Sequence, residues 1–119
     1  MTVQQYFPPV QDRPWLKVYR ELGVTPAAPE IQERSLADYV EDNARDAPGN
    51  VALVYTDKGV EITWTQLDAL ANRFASLLRS LGMQKGDVLG IHLPNTPQYV
   101  VALIGSAKAG VVVSGVSPL

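Results

Sequence analysis

The sequence contains no cysteine, and this absence removes two kinds of stabilisation. It excludes a disulfide framework and any zinc site built on thiolates. Its single histidine, His92, cannot by itself make a histidine cluster for a metal. The formal net charge of -2 and the pI near 5.2 give no basic surface of the kind that binds nucleic acid. No charged lead-in followed by an apolar core stands at the N-terminus, so the sequence predicts no secretory signal.

The 119 residues are enough for one domain with a substantial core. Their most regular stretch runs from Val60 to Leu93, where a short alternating strand, an amphipathic segment and an apolar run follow one another. The spacing of the apolar residues in the middle segment predicts a helix with one apolar face. The residues on that face are Leu67, Leu70, Ala71, Phe74, Leu77, Leu78 and Leu81.

Both ends of this helix carry sequence signals. Thr65 and Asp68 have the spacing of a capping box, and Gly82 can take the left-handed conformation that ends a helix. The continuous apolar run from Val88 to Leu93 then predicts a strand that is covered on both faces. Strand, helix and buried strand together predict a crossover unit.

A second crossover follows. Pro97 fits the first turn of a buried helix that Gly110 ends, and Val111, Val112 and Val113 begin another parallel strand. An alternative is a membrane span from Tyr99 to Val116, but the glycines, Lys108 and the valine run favour buried helix and strand. The predicted fold class is α/β, a partial doubly wound and mostly parallel sheet of the βαβαβ type. A strand without a covering element stands at the end, so the sequence is expected to be truncated at 119.

The first part of the chain predicts an antiparallel hairpin and an extended arm. Residues 1–34 form a proline-rich arm with one short helix, capped by Asp12 and ended by Gly23, while residues 35–119 form the α/β subdomain. The aromatic residues of the arm either pack on their own domain, which we favour, or reach a second subunit. Ser35 and Asp38 cap a second helix. The hairpin turns at Asp57-Lys58-Gly59, with Val60, Ile62 and Trp64 on the buried side of its second strand.

No catalytic, cofactor-binding or metal-binding constellation can be assembled from the residues. His92 is predicted to lie in a buried strand, and Lys108 is explained by its place at a helix end. The serines lack the Gly-x-Ser-x-Gly context of a nucleophile elbow, and both common phosphate-binding glycine motifs are absent. Those serines are Ser106, Ser114 and Ser117, and the only candidate base for them is His92. The aspartates Asp38, Asp68 and Asp87 are explained by caps or turns.

Six short landmarks nevertheless occur in a specific order. They are Arg13-Pro14-Trp15-Leu16-Lys17-x-Tyr19, Ser35-Leu36 with Ala47-x-Gly49, Ile62-Thr63-Trp64-Thr65-Gln66-Leu67, Leu81-Gly82-x-x-Lys85-Gly86-Asp87-Val88, Leu93-Pro94-Asn95 and Lys108-Ala109-Gly110. In this order they resemble the start of the AMP-forming acyl-CoA synthetases of the adenylate-forming superfamily. The opening and the segment from Gly110 onward look most like long-chain fatty acid CoA ligases, although many other branches have a proline where Gly115 stands.

The resemblance implies the first part of the large domain of that enzyme fold. It implies a parent enzyme that uses ATP, Mg²⁺ and coenzyme A to convert a fatty acid into an acyl-adenylate and then a thioester. The family's catalytic parts lie downstream of Leu119, so the chain alone is expected to be inactive, to pack on the rest of its own polypeptide and to self-associate. We expect a cytoplasmic parent without a transmembrane segment, with peripheral membrane association left open. The alternatives are a non-catalytic binding or scaffolding module, or a fragment of an aryl-CoA ligase or peptide-synthetase adenylation domain.

Overall fold

The computed structural model describes residues 13–24 and 33–118. The chain divides into two compact units, Met1–Gln32 and Glu33–Leu119, and each is described by itself. The predicted boundary between residues 34 and 35 stays a prediction. The elements are α1 (Trp15–Glu21), α2 (Leu36–Asp46), β1 (Val51–Tyr55), a 3₁₀ turn (Thr56–Lys58), β2 (Val60–Thr63), α3 (Trp64–Ser80), β3 (Val88–Ile91), α4 (Pro97–Ala109) and β4 (Val112–Gly115).

The strands form two small sheets. β1 and β2 pair antiparallel, and Gly59 closes the turn between them with a φ of 60°. β3 and β4 pair in parallel, from Val88 opposite Val112 to Ile91 opposite Gly115. The α/β class, the hairpin and the parallel pair across α4 are therefore confirmed. The three-strand parallel set is wrong, because in the described part of the chain β2 pairs only with β1.

The parallel pair is covered on one face rather than two. Ile91 and the neighbouring Val111 are buried on the side of the helices. The opposite face of the two strands carries Val88, Gly90, Val112 and Ser114, all of them exposed, and Val116, which follows β4, is exposed as well. The prediction of a strand covered on both faces is wrong for β3, because Val88 and Gly90 are exposed. A continuous apolar run indicates only that a strand can be covered on both faces.

The core lies between the helices and the hairpin. Its buried cluster consists of Val40, Ile62, Leu67, Ala71 and Ile104. Gly105 of α4 lies so close to α3 that an added Cβ would be 2.8 Å from the carbonyl oxygen of Ala71. The apolar face predicted for α3 is only partly buried, since Leu70, Leu77 and Leu81 remain exposed. The prediction that Val60 lies on the buried side of the hairpin is also wrong, because Val60 is exposed.

Most of the predicted helix ends are confirmed. Ser35 and Asp38 form the predicted capping box, and Gly82 and Gly110 follow their helices with positive φ. The predicted start of α3 is two residues too late, because the capping box is formed by Thr63 and Gln66. Trp64 is consequently the first residue of α3 and not the end of β2. Thr65 instead donates from its hydroxyl to the carbonyl oxygen of Pro48, at 3.1 Å.

The first unit is described only around α1. Gly23 has the predicted positive φ, and Pro14 precedes the first helical residue without a side-chain cap. The predicted cap, Asp12, and four of the five prolines of the arm lie outside the described residues. Leu16 is buried, whereas Trp15 and Tyr19 are exposed. No helix of the described residues is long and apolar enough to cross a membrane, and the segment proposed as an alternative span divides into α4 and β4.

Candidate functional site

An open groove of about 830 Å³ lies between the hairpin, α3, β3 and the start of α4. Its walls are mainly apolar, formed by Val60, Ile62, Leu70, Phe74, Leu89, Ile91, Leu93, Val101 and Ala102. Polar groups come from the hairpin turn, through Lys58, and from the loop and first turn after β3, through His92, Thr96 and Gln98. A groove of this size and character is suited to an apolar occupant with few polar contacts.

His92 is not in a buried strand as predicted. β3 ends at Ile91, and His92 is exposed in the loop that leads to Pro94. The side chain lines the groove, so it is accessible to an occupant. Because the apolar run continues to Leu93, the sequence predicts that His92 lies inside the strand. Pairing with the four-residue β4 stops at Ile91, before His92.

The two described serines considered as nucleophiles, Ser106 and Ser114, do not line the groove with His92. Ser106 is fully buried in α4, and its hydroxyl has no hydrogen-bond partner. Ser114 lies on the exposed face of β4 and does not line the groove. Among the described residues, no group of three histidine or carboxylate side chains could hold a metal ion. The described side chains that line the groove are mainly apolar.

The most buried charge in the described part of the chain is Lys108, whose side chain is only 6% exposed. Its ammonium group lies 2.9 Å from Asp68 Oδ1 on α3 and also pairs with Glu41 on α2. Burial alone lowers the pKa of Lys108, but the two carboxylates outweigh it and hold that pKa above its ordinary value. We call these three residues the Lys108 cluster, and it joins all three helices of the second unit.

The Lys108 cluster corrects two sequence interpretations. Lys108 does stand in the last turn of α4, where the helix dipole favours a cation, but its main partners are carboxylates on other helices. The prediction that Asp68 belongs to a helix cap is wrong, because Asp68 pairs with Lys108 and accepts a hydrogen bond from Asn72 at 2.9 Å. The turn role of Asp87 is confirmed, since its carboxylate accepts from the backbone N–H of Gln84 at 2.7 Å.

A second charged group lies on the surface of α2. Asp42 pairs with Arg34 and with Arg45, the latter at 2.6 Å. The hydrogen bond from Arg34, with that from Arg45, lowers the pKa of Asp42 below its ordinary value. Arg34 also lies over the ring of Tyr39, 4.8 Å from its centroid. These contacts fix the start of α2 and offer no reactive group to the groove.

The fold and the groove define an α/β subdomain of the kind that forms the N-terminal part of adenylate-forming enzymes. Residues 40–119 match the profile of the family described as AMP-binding enzyme, and the chain belongs to that family. A Mycobacterium tuberculosis fatty acyl CoA synthetase superposes on 69% of this chain with a TM-score of 0.66 and 32% sequence identity, and the match covers 16% of that protein. It is 72% covered by an anthranilate CoA ligase in complex with anthranoyl-AMP, at a TM-score of 0.67 and 26% identity, again over 16% of that protein.

Curated relatives agree in family and differ in substrate class. A long-chain fatty acid transport protein of Mus musculus is 44% identical over 69 residues, which is 58% of this chain and 11% of that protein. A long-chain-fatty-acid–CoA ligase of Yersinia pestis is 39% identical over 77 residues, 59% of this chain and 14% of that protein. A 4-coumarate–CoA ligase-like protein of Arabidopsis thaliana is 32% identical over 93 residues, which is 78% of this chain and 17% of that protein. The chain thus spans between 11 and 17% of the length of these relatives.

Proposed function

We propose that this chain is the N-terminal part of a fatty acid CoA ligase. Such an enzyme joins a fatty acid carboxylate to the α-phosphate of ATP, with release of pyrophosphate, and then transfers the acyl group to the thiol of coenzyme A. The observation that carries the proposal is the family match over residues 40–119 together with the fatty acid relatives. The chain covers about a sixth of those proteins or less, so the activity is proposed for the parent protein.

We further propose that residues 33–119 serve the parent as scaffold. The described residues offer no cluster for Mg²⁺, and Lys108, their most buried cation, is already paired with two carboxylates. The resemblance assigns the phosphate loop, the Mg²⁺-binding glutamate, the ribose-binding aspartate and the catalytic lysine to sequence outside these residues. What this part contributes is one apolar wall and the rigid packing of α3 on α4 behind it.

The first test assays the 119-residue chain for ATP–pyrophosphate exchange with fatty acids. We expect no exchange, because neither a phosphate-binding loop nor a metal cluster is among its described residues. Clear exchange above a heat-denatured control would show that the reactive groups lie within this chain, and the scaffold proposal would be wrong.

The second test separates scaffold from specificity. Residues 33–119 replace the matching residues of the Mycobacterium tuberculosis fatty acyl CoA synthetase, and in parallel those of the anthranilate CoA ligase. If the segment is scaffold, each chimera forms the thioester of its recipient's own acid. A shift of the anthranilate chimera toward fatty acids would show that this segment selects the substrate.

An aryl-CoA ligase parent is the second candidate, favoured by the match to the 4-coumarate–CoA ligase-like protein, which extends over 78% of this chain. A non-catalytic scaffolding module is the third. Sequencing the transcript beyond Leu119 distinguishes it from both enzymes, since an enzyme needs a Ser/Thr/Gly-rich phosphate loop there and a module does not. We place the parent in the cytoplasm.

We also propose that the isolated chain self-associates through the exposed face of the parallel pair. Val88, Val112 and Val116 lie on that face without any charge between them. An uncovered parallel sheet is uncommon in folded proteins. Sedimentation velocity should show concentration-dependent association that Val112→Lys removes and Val54→Lys, on the separate hairpin, leaves unchanged. A monomer at all concentrations would contradict this proposal.

A further inference from the structure

The groove runs along an open edge of β3. All five residues from Leu89 to Leu93 line it, and no residue of β4 does. Among the described strands β3 pairs only with β4, so none of them occupies its other edge. Five extended residues span about 17 Å, which is the length of an ordinary strand. The groove therefore has the position and the length of one further strand of the parallel sheet.

The backbone of β3 offers hydrogen-bonding groups at this edge. Asp87 and Ile91 accept backbone hydrogen bonds from the β4 side through their carbonyl oxygens, at 2.8 and 2.9 Å. Successive residues of a strand direct their backbone groups to opposite sides, so Val88 and Gly90 direct theirs to the open edge. Backbone groups inside a folded protein are almost always paired, and a strand in the groove would pair these.

The walls of the groove suit an apolar strand. Leu70 and Phe74 of α3 lie on one side, and Val101 and Ala102 of α4 also line it. Leu70 is 37% exposed although it belongs to the apolar side of α3. Lys58 is the only lysine, arginine or carboxylate residue that lines the groove, and it stands at the hairpin turn. A strand in the groove would bury its apolar side chains against α3.

The parallel pair has a second uncovered surface. On its exposed face, opposite the helices, Val88 and Val112 are 64% and 54% exposed. Parallel sheets are normally covered by helices on both faces, because their connections cross those faces. The groove therefore lacks a strand, and the exposed face lacks a helix.

We propose that one helix and the strand after it, both from the polypeptide that follows residue 119 in the parent, complete the sheet. The strand fills the groove parallel to β3, and the helix crosses the exposed face of the parallel pair. The handedness of connections links these two positions. Connections between parallel strands are right-handed in about 98% of cases, and the connection from β3 to β4 places α4 on one face. A right-handed connection that returns past β3 must cross the opposite face, which is the exposed one.

Two other arrangements leave a surface uncovered. A strand added beyond β4 would have its helix on the side of α4, so the groove and the exposed face would both stay open. A second copy of the chain joined by a two-fold axis uses the same patch on each copy, so one contact covers one surface. The inference rests on the proposal of a longer parent and does not depend on which acid the parent activates.

The experiment mixes the full 119-residue chain with a fluorescently labelled peptide of about 30 residues, long enough for a helix and a strand. The peptide has the sequence that follows the matched segment in the Mycobacterium tuberculosis fatty acyl CoA synthetase, of which the match covers 16%. We expect saturable binding by fluorescence anisotropy, and none with a peptide of the same composition in scrambled order. Absence of binding overturns the proposal. Since no acid, ATP or coenzyme A is present, that failure is separate from a failure of the proposed activity.

Hydrogen exchange locates the added strand. Binding should slow the exchange of the Val88 and Gly90 amides, which face the open edge, by about tenfold or more. The amide of Val113 faces the outer edge of β4, because that of Val112 bonds toward β3, and its exchange should not change. Slower exchange at Val113 instead would place the strand at the other edge of the sheet and overturn the proposal.

Four variants test the two surfaces. Leu70→Lys in the groove and Val112→Lys on the exposed face should each weaken binding by about tenfold or more, because each puts a charge where the peptide buries apolar surface. The matched controls are Leu36→Lys on α2 and Val54→Lys on β1, which are exposed residues outside both surfaces and should bind like the original chain. Binding that Val112→Lys leaves unchanged would show that no helix crosses the exposed face, and the proposed connection would be wrong. Binding that Leu70→Lys leaves unchanged would remove the strand from the groove.

Discussion

Replacement of Lys108 by methionine tests whether the cluster of ion pairs or the helix dipole explains this residue. Methionine keeps the length and apolar contacts of the stem and removes only the charge. A cation at a helix C-terminus contributes about 0.3–1 kcal/mol. Loss of one partner of a buried ion pair costs about 3–5 kcal/mol, because the other charge is left unpaired. The two explanations therefore predict different magnitudes.

The structure places the expected cost between these limits. Asp68 is 24% exposed and keeps its hydrogen bond from Asn72, and Glu41 is 54% exposed and can be rehydrated. We expect Lys108→Met to lower the free energy of unfolding by about 2 kcal/mol, which shifts the urea midpoint by about 1 M. Asp68→Asn should cost more than Glu41→Gln, since Asp68 is the more buried partner.

Urea unfolding followed by circular dichroism measures these differences. Lys58→Met, in the exposed hairpin turn, is the control and should change stability by less than about 0.5 kcal/mol. In the double variant Lys108→Met/Asp68→Asn, the two effects should be less than additive, because each single change already breaks the same contact. A loss of only about 0.5 kcal/mol for Lys108→Met, or strictly additive effects, would refute the ion-pair explanation.

Three other predictions use the same assay. Gly105→Ala should destabilise by about 1–2 kcal/mol, because crowding against the backbone of α3 outweighs the gain in helix propensity. Gly90→Ala is the control: a Cβ added at Gly90 meets no atom within 4 Å, so this change should show no crowding cost. Thr63→Ala should cost about 1 kcal/mol and Thr65→Ala less, since only Thr63 caps α3, and equal costs would refute that assignment. The pKa of Asp42 is lowered in the folded chain, so its stabilising contribution is present above the ordinary value of 3.8 and is lost as the pH falls through the lowered value. Asp42→Asn should therefore flatten the acid limb of the stability profile, and an unchanged limb would contradict this.

Signals that act within a few residues could be predicted from the sequence. The capping box of Ser35, the positive φ of Gly59 and the glycines that follow α3 and α4 all depend on local backbone geometry. The wrong prediction of Thr65 as the cap of α3 concerns a signal of the same short range. Thr63-Gln66 and Thr65-Asp68 have the same spacing, and which pair caps depends on where β2 stops pairing with β1, which lies outside the motif.

Features that join distant segments could not be predicted. The exposure of His92 and the groove depend on contacts between elements far apart in sequence, and so does the division of the described strands into two separate sheets. The Lys108 cluster is the clearest example, because Glu41 precedes Lys108 by 67 residues. A helical wheel can show that Lys108 ends a helix, but it carries no information about which carboxylates face that end.

The two ends of α4 have separate tasks, and this makes the Lys108 cluster a useful probe of the parent enzyme. Val101 and Ala102 line the groove, whereas Lys108 lies about 9 Å further along the helix axis and does not line it. In the chimera with the fatty acyl CoA synthetase, Lys108→Met should therefore lower thermal stability while the preference among acids stays the same. The assay compares kcat/KM for two acids of different chain length in chimeras with and without the change. A changed ratio of the two kcat/KM values would mean that the contacts of Lys108 with α2 and α3 influence the shape of the groove, and that the two ends of α4 are coupled.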